Sequence, residues 1–482
     1  MNKIKQFITF LDKVPEGKEL SIRQQITLIL WGITIVLLPF FRFPYGEFEK
    51  LSLYPLLLIA FINIDKWWNL CWHNKFLRYT AFAIAAFIAW QLISLPFSVG
   101  LSNINFADNI KPSINDMITY GAWYVFLATC FLLPQEKIRK TFYWSLTVTL
   151  LYCCAYSVIE ILHWSKVQWA TDFLSKSIYF FQKDVGQYCG WWPPVFWDAP
   201  RLRAIFGEPS YFAVLLTFAV LYYGFAFWRS AGWKKISGNA LLMILSVLAL
   251  CGTQSASGTV SLAGSTVLFI VLFAIFFRKF NKFERIKGSI LSILLLVFSA
   301  MVALNQRGGI NDWLLLLNKI SETSQPQQQQ QKKFDSSSGT RLIHLKAEIK
   351  LIAERPLCGY GQGNYGPAMK QALLESPEKT GEIRLWSENE EFVPPSLNKY
   401  TQTAINSGLT GLVFFFLMFL PALVCCIKCI KTMKADYWIT STILCGAIAI
   451  IFSTVSTDSL YCFSLLAFPF YTYIIGKDTS GK

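Results

Sequence analysis

Residues 337–366 read SSGTRLIHLKAEIKLIAERPLCGYGQGNYG, a stretch within a long polar segment of an otherwise apolar chain. Apolar side chains recur at helical spacing between Arg341 and Glu354, which predicts a helix over about 341–354. They are Leu342, Leu345, Ile349, Ile352 and Ala353, with Lys346, Lys350 and Arg355 on the wetter side. The helix should stop at Pro356, because the residue before a proline is pushed out of the α region. Four glycines follow between positions 359 and 366 and predict a tight turn.

Composition sets the class of protein. The chain has 482 residues, of which 54% are hydrophobic and only 15% are charged, and its mean hydropathy is +0.41. These values indicate a polytopic membrane protein. Most of the 12 cysteines lie in apolar runs, where they act as small hydrophobic residues. Since no metal-ligand spacing occurs, we expect neither a metal nor a cofactor.

About twelve apolar runs are long enough, or nearly so, to cross a hydrocarbon core of about 30 Å. They are 24–41, 50–64, 79–97, 116–133, 141–163, 209–228, 238–252, 257–277, 288–305, 404–427, 437–455 and 459–476. The short loops on one side are basic, which predicts a cytoplasmic location for them and for both termini. The net charge of +15 is largely this topological signal, so we do not expect nucleic acid as a partner.

Two long loops, 164–208 and 306–403, are predicted on the opposite, outer side of a single integral membrane domain. A loop of this length is usually functional or disordered. The first carries Trp191, Trp192 and Trp197, which serve either as interfacial anchors or as platforms that stack on sugars. Cys189 and Cys358 lie one in each loop, and a bridge between them would need an oxidising compartment.

Three short motifs resemble the O-antigen polymerase and O-antigen ligase superfamily. The first is Arg203-x-x-Phe-Gly-Glu208-Pro, and the second is Gly-Thr-Arg341 followed by the helix and the P-x-x-G-x-G-x-G-N-Y turn. The third is Asn398-x-Tyr400 ahead of Gly-Leu-Thr-Gly-Leu. The resemblance implies a bacterial inner-membrane glycosyltransferase with an all-α, GT-C-like fold and a periplasmic active site. It also implies a polyprenyl-diphosphate-linked glycan as substrate, membrane lipids as surroundings and a chain-length regulator as a possible partner.

Two departures from the family pattern favour a polymerase over a ligase. In the ligases the residue before the asparagine of the third motif is typically a histidine, whereas this chain has Leu397. In the segment 253–257 many relatives have an arginine after a serine, and this chain reads Thr-Gln-Ser-Ala-Ser. A ligase that transfers the glycan to lipid A-core remains an alternative. A polytopic transporter or flippase is another, but it would be expected to place charged groups near the middle of the membrane.

Arg203 and Arg341 are the leading catalytic candidates. A departing diphosphate must be stabilised, and an arginine binds phosphate oxygens with a fixed fork of donors and a permanent charge. The alternative is that each is a solvated or snorkelling loop cation. Glu208 is the best-placed carboxylate to act as a base, although a helix-terminal acid interacting with the helix dipole has the same position.

Four further residues are candidates for substrate binding. Asn398 and Tyr400 would position sugar or phosphate by hydrogen bonds, or would satisfy backbone groups at a helix start. His344 and Arg355 lie on the loop helix and at its end, and a lone histidine on an amphipathic helix is more often a surface residue.

Overall fold

The protein is an assembly of α-helices, and no strand occurs among the residues that the computed structural model describes. The described residues are 10–15, 19–40, 51–98, 106–182, 201–206, 209–305, 337–388, 394, 396–421, 424, 442–444, 446, 447 and 450. The first eleven helices are α1 Ile22–Val36, α2 Leu53–Ile62, α3 Ile64–His73, α4 Lys75–Ser94, α5 Phe106–Leu132, α6 Gln135–Trp164, α7 Gln168–Gln182, α8 Pro209–Arg229, α9 Trp233–Thr253, α10 Ala256–Phe276 and α11 Lys282–Leu304. A second group comprises α12 Ser337–Glu354, α13 Tyr365–Leu374, α14 Gly381–Glu388 and α15 Lys399–Leu417.

Six helices within the described ranges are long and apolar enough to cross a membrane: α4, α6, α8, α9, α10 with the short 3-10 turn after it, and α11. They coincide with six of the predicted spans, so the prediction of an all-α polytopic membrane protein is confirmed. Helices α1 and α2 have 15 and 10 residues and are shorter than the spans predicted there. The predicted span 459–476 lies outside the described residues, as does most of 437–455. The number twelve and the GT-C-like arrangement therefore stay predictions.

One end of the bundle is tied together by polar contacts between helix starts. Ser21 and Gln24 form a capping box that begins α1, and each satisfies a backbone N–H that the helix leaves unpaired. The Arg23 side chain is buried and forms an ion pair with Asp65 on α3. Lys137, in the first turn of α6, pairs with Glu19 at 2.8 Å. The connection between the predicted spans 50–64 and 79–97 is one of the short basic loops, and most of it forms the helix α3.

The opposite end of the bundle gathers the ends of α6, α9 and α11. Asn305 caps the end of α11, and its side chain donates to the Cys251 carbonyl of α9 at 2.7 Å. The backbone of residues 201–206 packs on the same place, where Leu202 N–H donates to the Gly252 carbonyl at 2.8 Å. Helix α7, which lies within the predicted 164–208 loop, packs on the last turns of α6. This end therefore carries the segment that precedes α8.

Helices α12, α13 and α14 form a lobe with its own hydrophobic core. The core is lined by Ile343, Ala347, Leu351, Tyr360, Tyr365, Ala368, Met369, Ala372, Leu373, Ile383, Trp386 and Ile405. Ile405 belongs to α15, so the lobe packs directly on that helix. The helix predicted over 341–354 is present, and it begins four residues earlier, at Ser337.

Helix α15 is broken at Gly408. The backbone there has φ +71° and ψ 177°, a conformation outside the helical region. The break is sharp enough that Tyr400, before it, stacks on Phe416, after it, with ring centroids 5.3 Å apart. The part before the break joins the lobe, and the part after it packs on α4 through contacts such as Phe87 with Phe415. The break is thus the point where the lobe meets the bundle.

Candidate active site

The turn that carries Arg203 is held by a carboxylate inside the bundle. Glu160, near the end of α6, accepts hydrogen bonds from the backbone N–H groups of Arg203 and Ala204 at 3.3 and 3.0 Å. The Arg203 side chain is 5% exposed, and its Nε lies 3.8 Å from the other Glu160 oxygen. Ala204 adopts the left-handed conformation at φ +52°, which a residue other than glycine keeps only when its surroundings impose it. Glu160 therefore fixes both the backbone and the guanidinium of this turn.

Arg201, in the same segment, binds the end of α9. Its Nε donates to the Thr253 carbonyl at 3.0 Å and its Nη2 donates to the Gln254 carbonyl at 3.3 Å. These carbonyls belong to the end of α9, where unpaired C=O groups attract cations. Arg201 thus caps the end of α9 at its junction with α10. This junction includes residues 253–257, where many relatives have an arginine that this chain lacks.

Arg341 lies near the start of α12 and is half-buried. The prediction of which face of this helix is buried was wrong, because Ile349 is 57% exposed and Leu345 is also exposed. The face on the lobe core instead carries Ile343, Ala347 and Leu351. Two polar residues share that buried face, so a count of apolar positions assigned the helix the wrong orientation. The exposed cations at 346 and 350 do lie on the wetter side, as predicted.

His344 is one of those two polar residues, and it is not on the surface, because only 1% of it is exposed. Its Nδ1 lies 3.5 Å from the Glu348 carboxylate, and its Nε2 lies 3.5 Å from the Tyr365 hydroxyl. The Tyr365 hydroxyl donates to Glu348 at 2.6 Å, and the imidazole meets the Trp386 ring edge to face. A histidine, a carboxylate and a tyrosine are thus buried together inside the lobe.

Burial raises the pKa of the Glu348 carboxyl to about 7, although hydrogen bonds from Tyr365 and Thr401 act in the opposite direction. Because this pKa is raised from 4.5, the folded state holds a proton that the unfolded chain releases between about pH 4.5 and 7. The stabilisation is complete below pH 4.5 and is lost as the pH rises through 7. Relative to Glu348→Gln, we expect the wild-type lobe to lose up to about 3 kcal/mol of unfolding free energy between pH 5 and 8.

Pulse proteolysis of both proteins across that pH range measures this difference. The matched control is Glu388→Gln, which changes an exposed carboxylate on α14 of the same lobe and should give no comparable slope. Parallel pH profiles for wild type and Glu348→Gln would show that Glu348 is ionised in the folded lobe throughout.

The glycine turn is a docking surface for α15. Tyr360 N–H donates to the Ile405 carbonyl at 2.7 Å and Gly361 N–H donates to the Asn406 carbonyl at 2.8 Å, while Leu409 N–H returns a bond to the Pro356 carbonyl at 2.7 Å. A glycine-rich turn also offers backbone N–H groups to anions. Here two of these N–H groups are already committed to the broken helix. The turn's first role is therefore to join the lobe to the bundle.

The other predicted binding residues have clear local partners. The Asn398 side chain caps α15 by accepting from the N–H groups of Tyr400 and Thr401 at 2.8 and 3.3 Å. Tyr400 packs on the rings beyond the break in α15. The guanidinium of Arg355 lies 4.8 Å from the centre of the Tyr360 ring, within range of a cation–π contact. A substrate-binding role for these residues remains a prediction.

Glu208 lies outside the described residues, as do Cys189 and the tryptophans at 191, 192 and 197. The proposed base and the possible bridge to Cys358 therefore stay predictions. Glu160, in contrast, is a partner of the Arg203 turn that the sequence reasoning missed. A carboxylate within the predicted span 141–163 was the available signal, since ionisable residues in membrane segments are rare and are usually paired.

The two leading arginines are positioned by different parts of the fold. Arg203 is held where α6 and α9 end, and Arg341 begins the lobe that docks on α15. Trp90, near the end of α4, donates to the Ser407 carbonyl at the break in α15. Helices α4 and α6 both begin at the other end of the bundle, where Lys137 pairs with Glu19. The Arg203 turn and the junction with the lobe thus lie at the same end of the bundle.

Comparison with known proteins identifies the region that carries the lobe. Residues 240–416 match the family model described as O-antigen ligase. The match runs from α9 to the last turn of α15, and it includes Arg341, the glycine turn and Asn398. No curated protein matches the chain. The family implies a glycosyltransferase-like enzyme that acts on lipid-linked glycans. Through this region, which is less than half of the chain, the protein is similar to the O-antigen ligase family.

Proposed function

We propose that the protein polymerises lipid-linked repeat units of O-antigen or of a related surface polysaccharide. The observation that carries this choice is Leu397, which stands where the ligases typically have a histidine and packs against the lobe core. The buried His344 does not supply a substitute at the surface, because it is enclosed within the lobe. The growing chain would pass from its polyprenyl diphosphate carrier to a sugar of the next carrier-linked repeat unit.

The chemistry is a displacement at the first carbon of the transferred glycan. The bond from this carbon to the diphosphate oxygen breaks, and a bond to the acceptor hydroxyl oxygen forms. Arg203 and Arg341 would hold the diphosphate and stabilise the charge that develops on it as it leaves. Glu208 would take the proton of the acceptor hydroxyl. Polyprenyl diphosphate is then released with both bonding electrons of the broken bond.

This assignment places the protein in the bacterial inner membrane with both termini in the cytoplasm. The basic loops support that orientation, because positive charge is retained on the cytoplasmic side. The Arg203 turn and the junction with the lobe would then face the periplasm, at the boundary where a lipid-linked diphosphate lies.

The products distinguish a polymerase from the alternative ligase, which the description of the family model favours. Deletion of the gene should leave lipid A-core that bears a single repeat unit, because one unit is still transferred to the core while polymerisation does not occur. Gel electrophoresis of the lipopolysaccharide and mass spectrometry of the carrier-linked glycans make the measurement. Bare core together with long chains still on the carrier would instead establish a ligase. A wild-type pattern on deletion would contradict both functions.

A further inference from the structure

A polar cluster lies where the bundle meets the lobe. Its centre is Asp116 on α5, whose Oδ2 accepts a hydrogen bond from Gln91 Nε2 on α4 at 2.8 Å and another from Gln362 Nε2 on the glycine turn at 2.8 Å. Both glutamine residues are buried. Gln362 is held in place because the preceding residue, Gly361, is bonded to the Asn406 carbonyl. Three distant segments thus converge on one carboxylate oxygen.

The cluster offers more hydrogen-bonding capacity than the described part of the chain uses. The Gln91 side chain is 0% exposed, and its Oε1 has no partner among the described residues. The hydroxyls of Ser113 and Tyr120 are buried on α5 and likewise lack a partner within that part of the chain. Ser113, Asp116 and Tyr120 follow one another at helical spacing, so all three lie on the face of α5 toward Gln91.

The second oxygen of Asp116 is also available. Both glutamine bonds go to Oδ2, and Oδ1 accepts no hydrogen bond from the residues that the structure describes. Asp116 itself is half-buried, whereas Gln91 and Ser113 behind it are fully buried. Leaving several buried polar atoms unpaired costs free energy at each one, so such a group normally binds a ligand or ordered water.

The chemistry of the cluster selects among ligands. Among the residues that the structure describes, the charge at the centre of this cluster is the Asp116 carboxylate, which repels a diphosphate, and each glutamine amide already donates one N–H to it. What remains is the second N–H of each glutamine amide, the open Gln91 and Asp116 oxygens and the buried hydroxyls on α5, a mixture that matches groups that both donate and accept. The hydroxyls of a sugar ring have this character and occur as adjacent pairs. We propose that the cluster of Gln91, Ser113, Asp116 and Gln362 binds sugar hydroxyls of the glycan, a proposal that rests on the proposed function.

Asp116→Asn tests this proposal with little change of shape. The asparagine oxygen can accept from both glutamines, so the junction should stay intact, while an amide N–H₂ replaces the open carboxylate oxygen. In purified full-length protein in lipid nanodiscs, we expect the KM for the lipid-linked glycan to rise at least about tenfold, with a smaller change in kcat. The matched control is Asp172→Asn on α7, an exposed carboxylate that also accepts from a glutamine amide, at 3.0 Å. It should leave both constants unchanged.

A second variant and a direct binding measurement keep the two proposals separable. Ser113→Ala removes a hydroxyl with no described partner, so it should not destabilise the protein, and it should weaken glycan binding several-fold. The probe is the repeat-unit oligosaccharide released by mild acid from the lipid-linked glycan of the host strain, measured by calorimetry. Equal binding by wild type, Asp116→Asn and Ser113→Ala, or no binding by wild type, would overturn the sugar site. Binding that responds to these variants, without any transfer by wild type, would instead overturn the proposed function.

Discussion

Replacing Arg341 by alanine is expected to leave the protein folded and to abolish long glycan chains. The buried face of α12 is unchanged by this substitution, because Ile343, Ala347 and Leu351 carry the packing. Removing a preorganised cation from a developing diphosphate should lower the transfer rate by about 100-fold or more. Surface glycan length on gels, together with the rate of transfer in nanodiscs, measures the loss. Arg341→Lys should recover part of the rate, since it restores the charge without the paired donors.

Lys346→Ala provides the matched control on the same helix. Lys346 is an exposed cation whose ammonium lies 3.2 Å from Glu378, and surface pairs of this kind contribute little to stability. Chain length should therefore be normal in this variant. Normal chains from Arg341→Ala, at a normal protein level, would remove the diphosphate role from this residue.

Arg203 must be tested with a different set of variants, because its side chain lies against the buried Glu160 carboxylate. Arg203→Ala alone leaves that carboxylate without its cation and should reduce the amount of folded protein. The double variant Arg203→Ala with Glu160→Gln removes the buried charge and should restore the protein level but not glycan transfer. Restored transfer in the double variant would assign Arg203 a structural role only.

The sequence was sufficient for the features that depend on local pattern. The helix over 341–354 was predicted from apolar spacing and a proline stop, and both signals act within one segment. Its orientation was not predictable in the same way. His344 and Glu348 occupy the buried face because Tyr365 and Thr401, far along the chain, satisfy them there. Apolar periodicity treats such residues as solvent-facing, so the helix was rotated in the prediction.

The site shows the same division between local and distant causes. Arg203 was recognisable from a short motif, but its partner Glu160 lies more than forty residues earlier in the chain. The Asp116 cluster joins residues from three separate segments, and none of them stands out in its own neighbourhood. Asn398 was correctly considered as a helix cap, because capping depends on the next three residues alone. Contacts between distant segments thus account for what the sequence analysis missed.

Gly408→Ala is expected to separate the lobe from the bundle. The residue has φ +71°, which disfavours any side chain, and a Cβ there would overlap with the Leu357 carbonyl and the Cys358 nitrogen. Both atoms belong to backbone, which cannot rotate away as a side chain can. We expect a loss of about 3 kcal/mol or more of unfolding free energy for the docked lobe, together with loss of glycan transfer. Limited proteolysis of residues 337–388, compared with the rest of the chain, measures the detachment.

Gly359→Ala should have a similar effect from the other side of the contact. Gly359 has φ +67°, and its Cβ would overlap with the Ile405 carbonyl. The matched control is Gly121→Ala on α5, where no atom of the described residues beyond the helix's own backbone lies within 4 Å of the added Cβ. Alanine is preferred to glycine inside a helix, so this control should be neutral or slightly stabilising. If the variants at 408 and 359 resist protease as wild type does, the glycine turn does not hold the lobe on α15. If they detach the lobe and transfer still proceeds, the chemistry does not require the docked lobe, and Arg341 cannot act at the bundle.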